Sequence, residues 1–444
     1  MKIYIPKIKA SSQGSKFVML VMLYYTISYI CVYTFHMPRL LLYLGDVLNI
    51  GIFILALRNK MGKFPCSSTF IWMVIFTVFG LMSSLFNHQS VGLIIWGIRN
   101  NLRFFILFYS IIVYFKMHDV AIVLKVVKFV FWISFPLCAI ERFCVTYPSG
   151  TIVGDMIGGV FWNYSGCNLS LNIVLITVIT MISSQYFRGE EKFVNFILTS
   201  AAALFMAATG ELKVYLAEYI VIIILTAMMS GVSFKNIFKI LIGGILFSIF
   251  ISCFISFNMS GSNYADNYTI EGFFSYATRD TGYNGTGDLN RLTGIMTVND
   301  TIFKGQWLKK LFGIGLGNAE YTNFFTSPFY EQHNYLNYQW FHDIWMFIET
   351  GFVGVISYVA IFISTLIKSR KNLKRTSVGT FVSTMIVLML ILFVYNITLR
   401  AEAGGFILFM ILAIPYLYKK EQNCNSINSF YELTGFSLKR KKSV

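Results

Sequence analysis

The chain has 444 residues, of which 56% are hydrophobic, 17% aromatic and only 13% charged, with a mean hydropathy of +0.65. A soluble chain of this length carries about twice that share of charge, which excludes an ordinary water-soluble enzyme. The net charge of +16 would suit a nucleic-acid binder, but the Lys and Arg residues gather in short connections between apolar runs, a membrane-insertion pattern that implies no nucleic acid.

Apolar runs near the ~20 residues that cross a bilayer recur along almost the whole chain. Backbone inside lipid must satisfy its own hydrogen bonds, so the predicted fold class is an all-α, polytopic membrane protein. Twelve spans are expected: 17–35, 40–57, 69–86, 102–115, 120–140, 167–183, 193–209, 213–230, 236–257, 343–367, 377–398 and 402–418. The first follows Lys2, Lys7, Lys9 and Lys16, lacks a small-residue cleavage site, and reads as a signal anchor. The fourth is short, and Trp96 is an alternative start.

Every second connection is basic: Arg58, Lys60 and Lys63; Lys116; Arg188 and Lys192; Lys235 and Lys239; then the run from Lys368 to Arg375. This asymmetry predicts cytoplasmic N- and C-termini and an outer location for the long polar connection 258–341, between helices 9 and 10. The expected organisation is therefore membrane helices 1–9 over 1–257, a loop or cap over 258–341, helices 10–12 over 342–418, and a basic cytoplasmic tail over 419–444.

The basic residues left on the outer side run against that rule: Arg39, Arg99, Arg103, Arg142, Lys213, Arg279, Arg291, Lys304, Lys309, Lys310 and Arg400. Near helix ends such residues snorkel, pair with acids, or line a wet cavity. For any single residue, snorkelling beside Glu141, Glu211 or Glu402 is the simpler account; for the set, a shared anion site is favoured.

Tyr147–Cys167 is Gly- and aromatic-rich but too interrupted to span, and suits a re-entrant or interfacial segment. Cys144 and Cys167 are expected as unpaired thiols, with pairing the alternative in an oxidising compartment. Within the long connection, Arg291–Leu311 has the spacing of an amphipathic helix lying on the membrane. Gly313, Gly315 and Gly317 fit neither phosphate-loop pattern and read as a turn with close backbone approach.

The order of elements resembles the bacterial O-antigen polymerase and O-antigen ligase superfamily, membrane glycosyltransferases. The residues that carry the resemblance are Thr209-Gly210-Glu211-Leu212-Lys213, Arg291, Gly313–Gly317, His342 and Glu349-Thr350-Gly351-Phe352-Val353-Gly354. Two departures stand out: Lys213 occupies the place of the family's arginine, and Asp343 follows the histidine where Asn or Ser is common. The resemblance implies transfer of a glycan from undecaprenyl diphosphate to a sugar hydroxyl on the periplasmic side of the bacterial inner membrane.

That chemistry requires fixed cations to take up charge on the departing diphosphate. Lys213 and Arg291 are the first candidates, with Arg99, Arg103 and Arg400 behind them. No Asp-x-Asp occurs and His36–Arg39 carries no acid, so clamping without a metal or other cofactor is expected. His342 is the candidate general base, with Asp343 and Glu349 as supporting carboxyls; an interfacial helix-start histidine is the structural alternative. Glu349 would be satisfied by Arg400 or Arg103, and Gly351 and Gly354 would permit close helix packing.

The aromatics of 321–345 suit sugar stacking or an interfacial belt. Expected partners are the undecaprenyl-diphosphate-linked oligosaccharide, membrane lipid, and a chain-length regulator and flippase. The reading that the resemblance favours is an O-antigen polymerase transferring the glycan onto a lipid-linked repeat unit; its rivals are the ligase, a capsular polymerase and, from another class, a polysaccharide flippase or transporter.

Overall fold

Long apolar runs become helices in the computed structural model, which describes residues 10–59, 68–148, 151–162, 164–231, 242–243, 282, 287–321, 326–421 and 425–436. The long helices are α1 (Gln13–Tyr33), α2 (Leu40–Asn59), α3 (Ser68–Phe86), α4 (Val91–Tyr114), α5 (Met117–Cys144), α6 (Asn168–Tyr186), α7 (Phe193–Thr209), α8 (Lys213–Ser230), α9 (His342–Asn372), α10 (Ser377–Tyr395) and α11 (Gly405–Lys420). Among the described residues there is no strand, only an isolated bridge between Tyr321 and Thr326. Nine of these helices are long and apolar enough to cross a membrane; α7 and α11 are shorter. The protein is thus a polytopic helical membrane protein, and the predicted ninth span, 236–257, lies almost wholly outside the described residues.

Capping sets several boundaries. Ser12 and Thr376 accept hydrogen bonds from the Ser15 and Gly379 amides, satisfying donors that the first turns of α1 and α10 leave open. Gly231 closes α8 in the left-handed conformation. The fourth span begins at Val91, well before the expected 102, because Arg99 and Arg103 are neutralised inside the bundle rather than excluded from it. The last begins at Gly405, which leaves Arg400 and Glu402 in the connection ahead of it.

Helix α6 is buried along almost its whole length and packs against α5, α7, α8 and α10, so it is the axis of the bundle. Helices α2, α3 and α5 instead expose Ile54, Leu55, Val74, Val78 and Phe129, the apolar surface that lipid contact requires. The C-terminal segment is more than a tail: Asn425–Thr434 forms a helix on α5, with His118 Nδ1 2.6 Å from Ser429 Oγ.

Helix α9 is two helices end to end. Gly351 has φ 62° and ψ −165°, a conformation only glycine adopts without strain, so His342–Thr350 and the stretch after it are separate pieces. The break frees the Ile348 and Glu349 carbonyls, which accept from the Ile314 and Gly315 amides at 2.9 and 2.8 Å. Gly351 therefore makes a break as well as a close approach, and a Cβ there would lie 2.4 Å from the Leu311 carbonyl carbon and oxygen. Gly354 meets its own chain instead, at the Thr350 side chain.

The expected helix Arg291–Leu311 is also interrupted. Gly294–Thr297 runs into a wide turn, Val298–Ile302, and a second short helix, Trp307–Phe312, follows Gly305 at φ 75°. Val298 and Phe303 pack inward, whereas Leu292, Met296, Trp307 and Leu308 stay exposed.

Candidate active site at one end of the bundle

The first half of α4, the first turns of α6, α8 and α9 and the ends of α3 and α10 carry the polar side chains in question, together with the 287–341 region and the α10–α11 connection. The cluster is assembled around α4, where Arg99 and Arg103 stand one turn apart on the same face. Arg99 Nε donates to Asp46 at 2.6 Å, and its Nη2 lies 3.0 Å from Glu402 Oε1. Arg103 Nη1 is 2.7 Å from the same Glu402 oxygen. Asn100 Oδ1 accepts from both arginines, and Tyr25 Oη donates to Asp46 at 3.0 Å. Arg99 also lies over the rings of Tyr43 and Trp96, at 5.0 and 4.8 Å from their centroids.

Two buried or half-buried guanidiniums sharing one carboxylate fix that carboxylate as an anion. Burial alone would raise the Glu402 carboxyl; Arg103, then Arg99, override it and hold it at about 2.

Arg400, two residues before Glu402, turns the other way. Its Nη2 is 2.5 Å from Glu320 Oε1, and its guanidinium stacks over Trp345, 3.9 Å from the ring centroid. Trp345 Nε1 donates in turn to Glu349 Oε1 at 3.3 Å. The same oxygen accepts from the Gly317 amide at 3.0 Å, and Oε2 accepts from Asn101 Nδ2 at 3.2 Å. The expected partners of Glu349, Arg400 and Arg103, are thus both taken by other acids. Glu349 instead fastens the glycine turn to α4.

That turn is a clamp. Gly313, Gly315 and Gly317 all have positive φ, and a Cβ on each would strike the backbone of Glu349–Thr350, Ser84 and Leu93 respectively. Ser83 Oγ and Ser84 Oγ donate to the Gly313 and Leu316 carbonyls. The glycines serve backbone approach between α3, α4 and α9.

His342 begins α9, 2% exposed, with its ring 5.3 Å from both Tyr358 and Phe393. Its Nδ1 is buried with no hydrogen-bond partner among the described residues. Arg400 acts on it electrostatically. Asp343 does not bond the imidazole; its Oδ1 accepts from the Ile344 amide, and the carboxyl is within electrostatic reach of Arg291. Arg291 donates to the Tyr395 carbonyl and lies over the Tyr395 and Phe341 rings, 4.0 and 5.3 Å from their centroids.

Lys213 belongs to a different group. Its charge, with that of Glu211, acts on Asp155, which accepts from Asn168 Nδ2 at 3.3 Å, and Glu211 pairs with Arg142 at 3.2 Å. Asp155 itself is raised above the ordinary range by burial, the Asn168 bond working the other way. Glu141, expected beside a snorkelling cation, caps the interfacial segment through the Gly158 and Gly159 amides, at 2.9 and 3.1 Å. That segment folds as two short turns, Val153–Met156 and Gly159–Phe161, and Cys144 and Cys167 are free thiols.

Three participants escaped sequence reading: Asp46, Glu320 and Glu218. Asp46 and Glu218 carried a usable signal, since an acid inside an apolar run demands a partner. Glu218 is fully buried on α8 and accepts from Asn172 Nδ2 at 3.0 Å. Glu320 carried none, and Trp345 was foreseen only as one of the aromatics of 321–345, not as the ring beneath Arg400. No family model matches the chain, and no curated protein sequence matches it either.

Proposed function

We propose that the chain is a glycosyltransferase of the bacterial inner membrane, an O-antigen polymerase working on its periplasmic side. The donor is a glycan on undecaprenyl diphosphate and the acceptor a lipid-linked repeat unit. The acceptor hydroxyl attacks the anomeric carbon, the bond from that carbon to the diphosphate oxygen breaks, and the electron pair leaves with the diphosphate. His342 takes the hydroxyl proton at a ring nitrogen; Arg291, Arg400, Arg99 and Arg103 receive the leaving charge.

The observation that supports this reading is that Arg99 and Arg103 share Glu402, two residues from Arg400, whose charge reaches the buried imidazole of His342, while Arg291 acts on the adjacent Asp343; the imidazole Nδ1 has no hydrogen-bond partner among the described residues. A hydroxyl offered to Nδ1 would give that buried nitrogen a hydrogen-bond partner. The guanidiniums are already paired, so the diphosphate binds by exchange, displacing carboxylates such as Glu320 from Arg400. Lys213, grouped with Asp155 and Glu211, has the weaker claim to the diphosphate.

A ligase or capsular polymerase would use the same donor geometry. The flippase reading has its own support in the helix broken at Gly351 and the buried Glu218, features that transporters use at substrate sites. A deletion strain separates them: a polymerase leaves single repeat units attached outside, a flippase leaves them inside. Replacing His342, Arg291 and Arg400 singly by Ala, with protein level checked, is expected to collapse the polysaccharide ladder to short products. Full-length polymer in all three variants overturns the mechanism.

A further inference from the structure

Next to this cluster, a cleft of about 510 Å³ opens between Tyr321, the short helix Pro328–His333 and the turn that follows it. Its size falls within the ~300–1,000 Å³ of small-ligand sites. Its walls are the rings of Tyr321, Tyr330, Trp340 and Trp345, interleaved with the amides of Asn334, Asn337 and Gln339. No charged side chain is among these described lining residues.

Two of the rings are partly open to solvent. Tyr321 and Trp340 are 54% and 42% exposed, although Tyr321 stacks on Tyr330 with centroids 4.8 Å apart. The amides are not all spent on the fold: the side chains of Asn334 and Gln339 make no hydrogen bond among the described residues, whereas Asn337 is anchored to Asp288 at 3.3 Å. Rigid ring faces beside uncommitted amide donors and acceptors match a molecule with apolar C–H faces and an equatorial fringe of hydroxyls. A lipid tail would leave the amides unpaired, and an anionic sugar would find no cation among the described wall residues.

We propose that this cleft is a subsite for an uncharged saccharide, stacked on the exposed rings and hydrogen-bonded by Asn334 and Gln339. Trp345 is its floor and also the surface on which Arg400 stacks, so a sugar held here lies one side chain from the arginine cluster. Assigning that sugar to the acceptor repeat unit rests on the polymerase reading; saccharide binding itself does not.

The test uses the full chain in phosphatidylcholine nanodiscs, free of sugar-headed detergents, applied to an array of neutral and anionic oligosaccharides. Wild type is expected to retain neutral glycans, with loss of about tenfold or more in Tyr321→Ala and Trp340→Ala, each of which removes an exposed ring without opening the core. Asn334→Ala weakens binding less. His342→Ala is expected to bind like wild type while making no polymer, which separates the two proposals. No retained glycan, a preference for anionic ones, or retention unchanged in both ring variants overturns the subsite. Normal polymer from His342→Ala with ring-dependent retention intact overturns the reaction and leaves the subsite standing.

Discussion

Glu402→Gln tests how the arginine cluster is held. Glu402 bridges Arg99 and Arg103 at 3.0 and 2.7 Å, and Arg103 is only 5% exposed. A carboxyl moved from 4.5 to about 2 corresponds to about 3 kcal/mol of stability at neutral pH, and about 2 after solvent screening at a side chain 26% exposed. Because the folded value is depressed, this contribution is complete above about pH 4.5 and fades as pH falls toward about 2. Glutamine retains the shape but leaves two guanidiniums without their shared anion. Thermal unfolding in nanodiscs is therefore expected to show the variant a few degrees below wild type at pH 7, with the gap narrowing between pH 4.5 and pH 3. Coincident melting at pH 7, or a gap independent of pH, refutes the bridging role.

Gly351→Ala should cost far more than Gly189→Ala: both have positive φ, but only Gly351 would drive a Cβ into backbone, that of Leu311 and Phe312, whereas nothing lies within 4 Å of Gly189. The exposed site carries only the left-handed strain of about 1–2 kcal/mol, and folded yield of the two variants after identical expression checks the difference. Glu349→Ala is expected to lower the melting temperature more than Glu349→Gln, since Gln keeps an acceptor for the Gly317 amide and Trp345 Nε1; equal losses would mean that the charge itself, rather than the acceptor, is what matters.

The spans were legible in the sequence because lipid imposes a simple demand. A backbone with no water to bond must close its own hydrogen bonds, so a long apolar run can hardly be anything but a helix. That demand reached α8 to the residue, since Lys213 and Ser230 bound an uninterrupted run. It misled at α4, where hydropathy alone pushed the helix start past two arginines whose acids lie elsewhere in the chain. The candidate residues His342 and Arg400 were visible as ionisable groups at the ends of apolar runs, and Glu349 as one inside a run, but their partners were not.

What the sequence determined by itself is the class of the protein, a bundle of membrane helices, together with the turn-forming character of Gly313–Gly317. Tertiary structure alone decided who neutralises whom: Arg99 and Arg103 with Glu402, Arg400 with Glu320, Glu349 with a glycine loop, and Lys213 with another group of charges. It also decided that the helix carrying His342 stops at Gly351, because the neighbouring Ile314 and Gly315 amides were there to take the carbonyls it released. Hydropathy is a property of one segment, whereas pairing is a property of two, and Arg99 and Glu402 lie 303 positions apart in the chain.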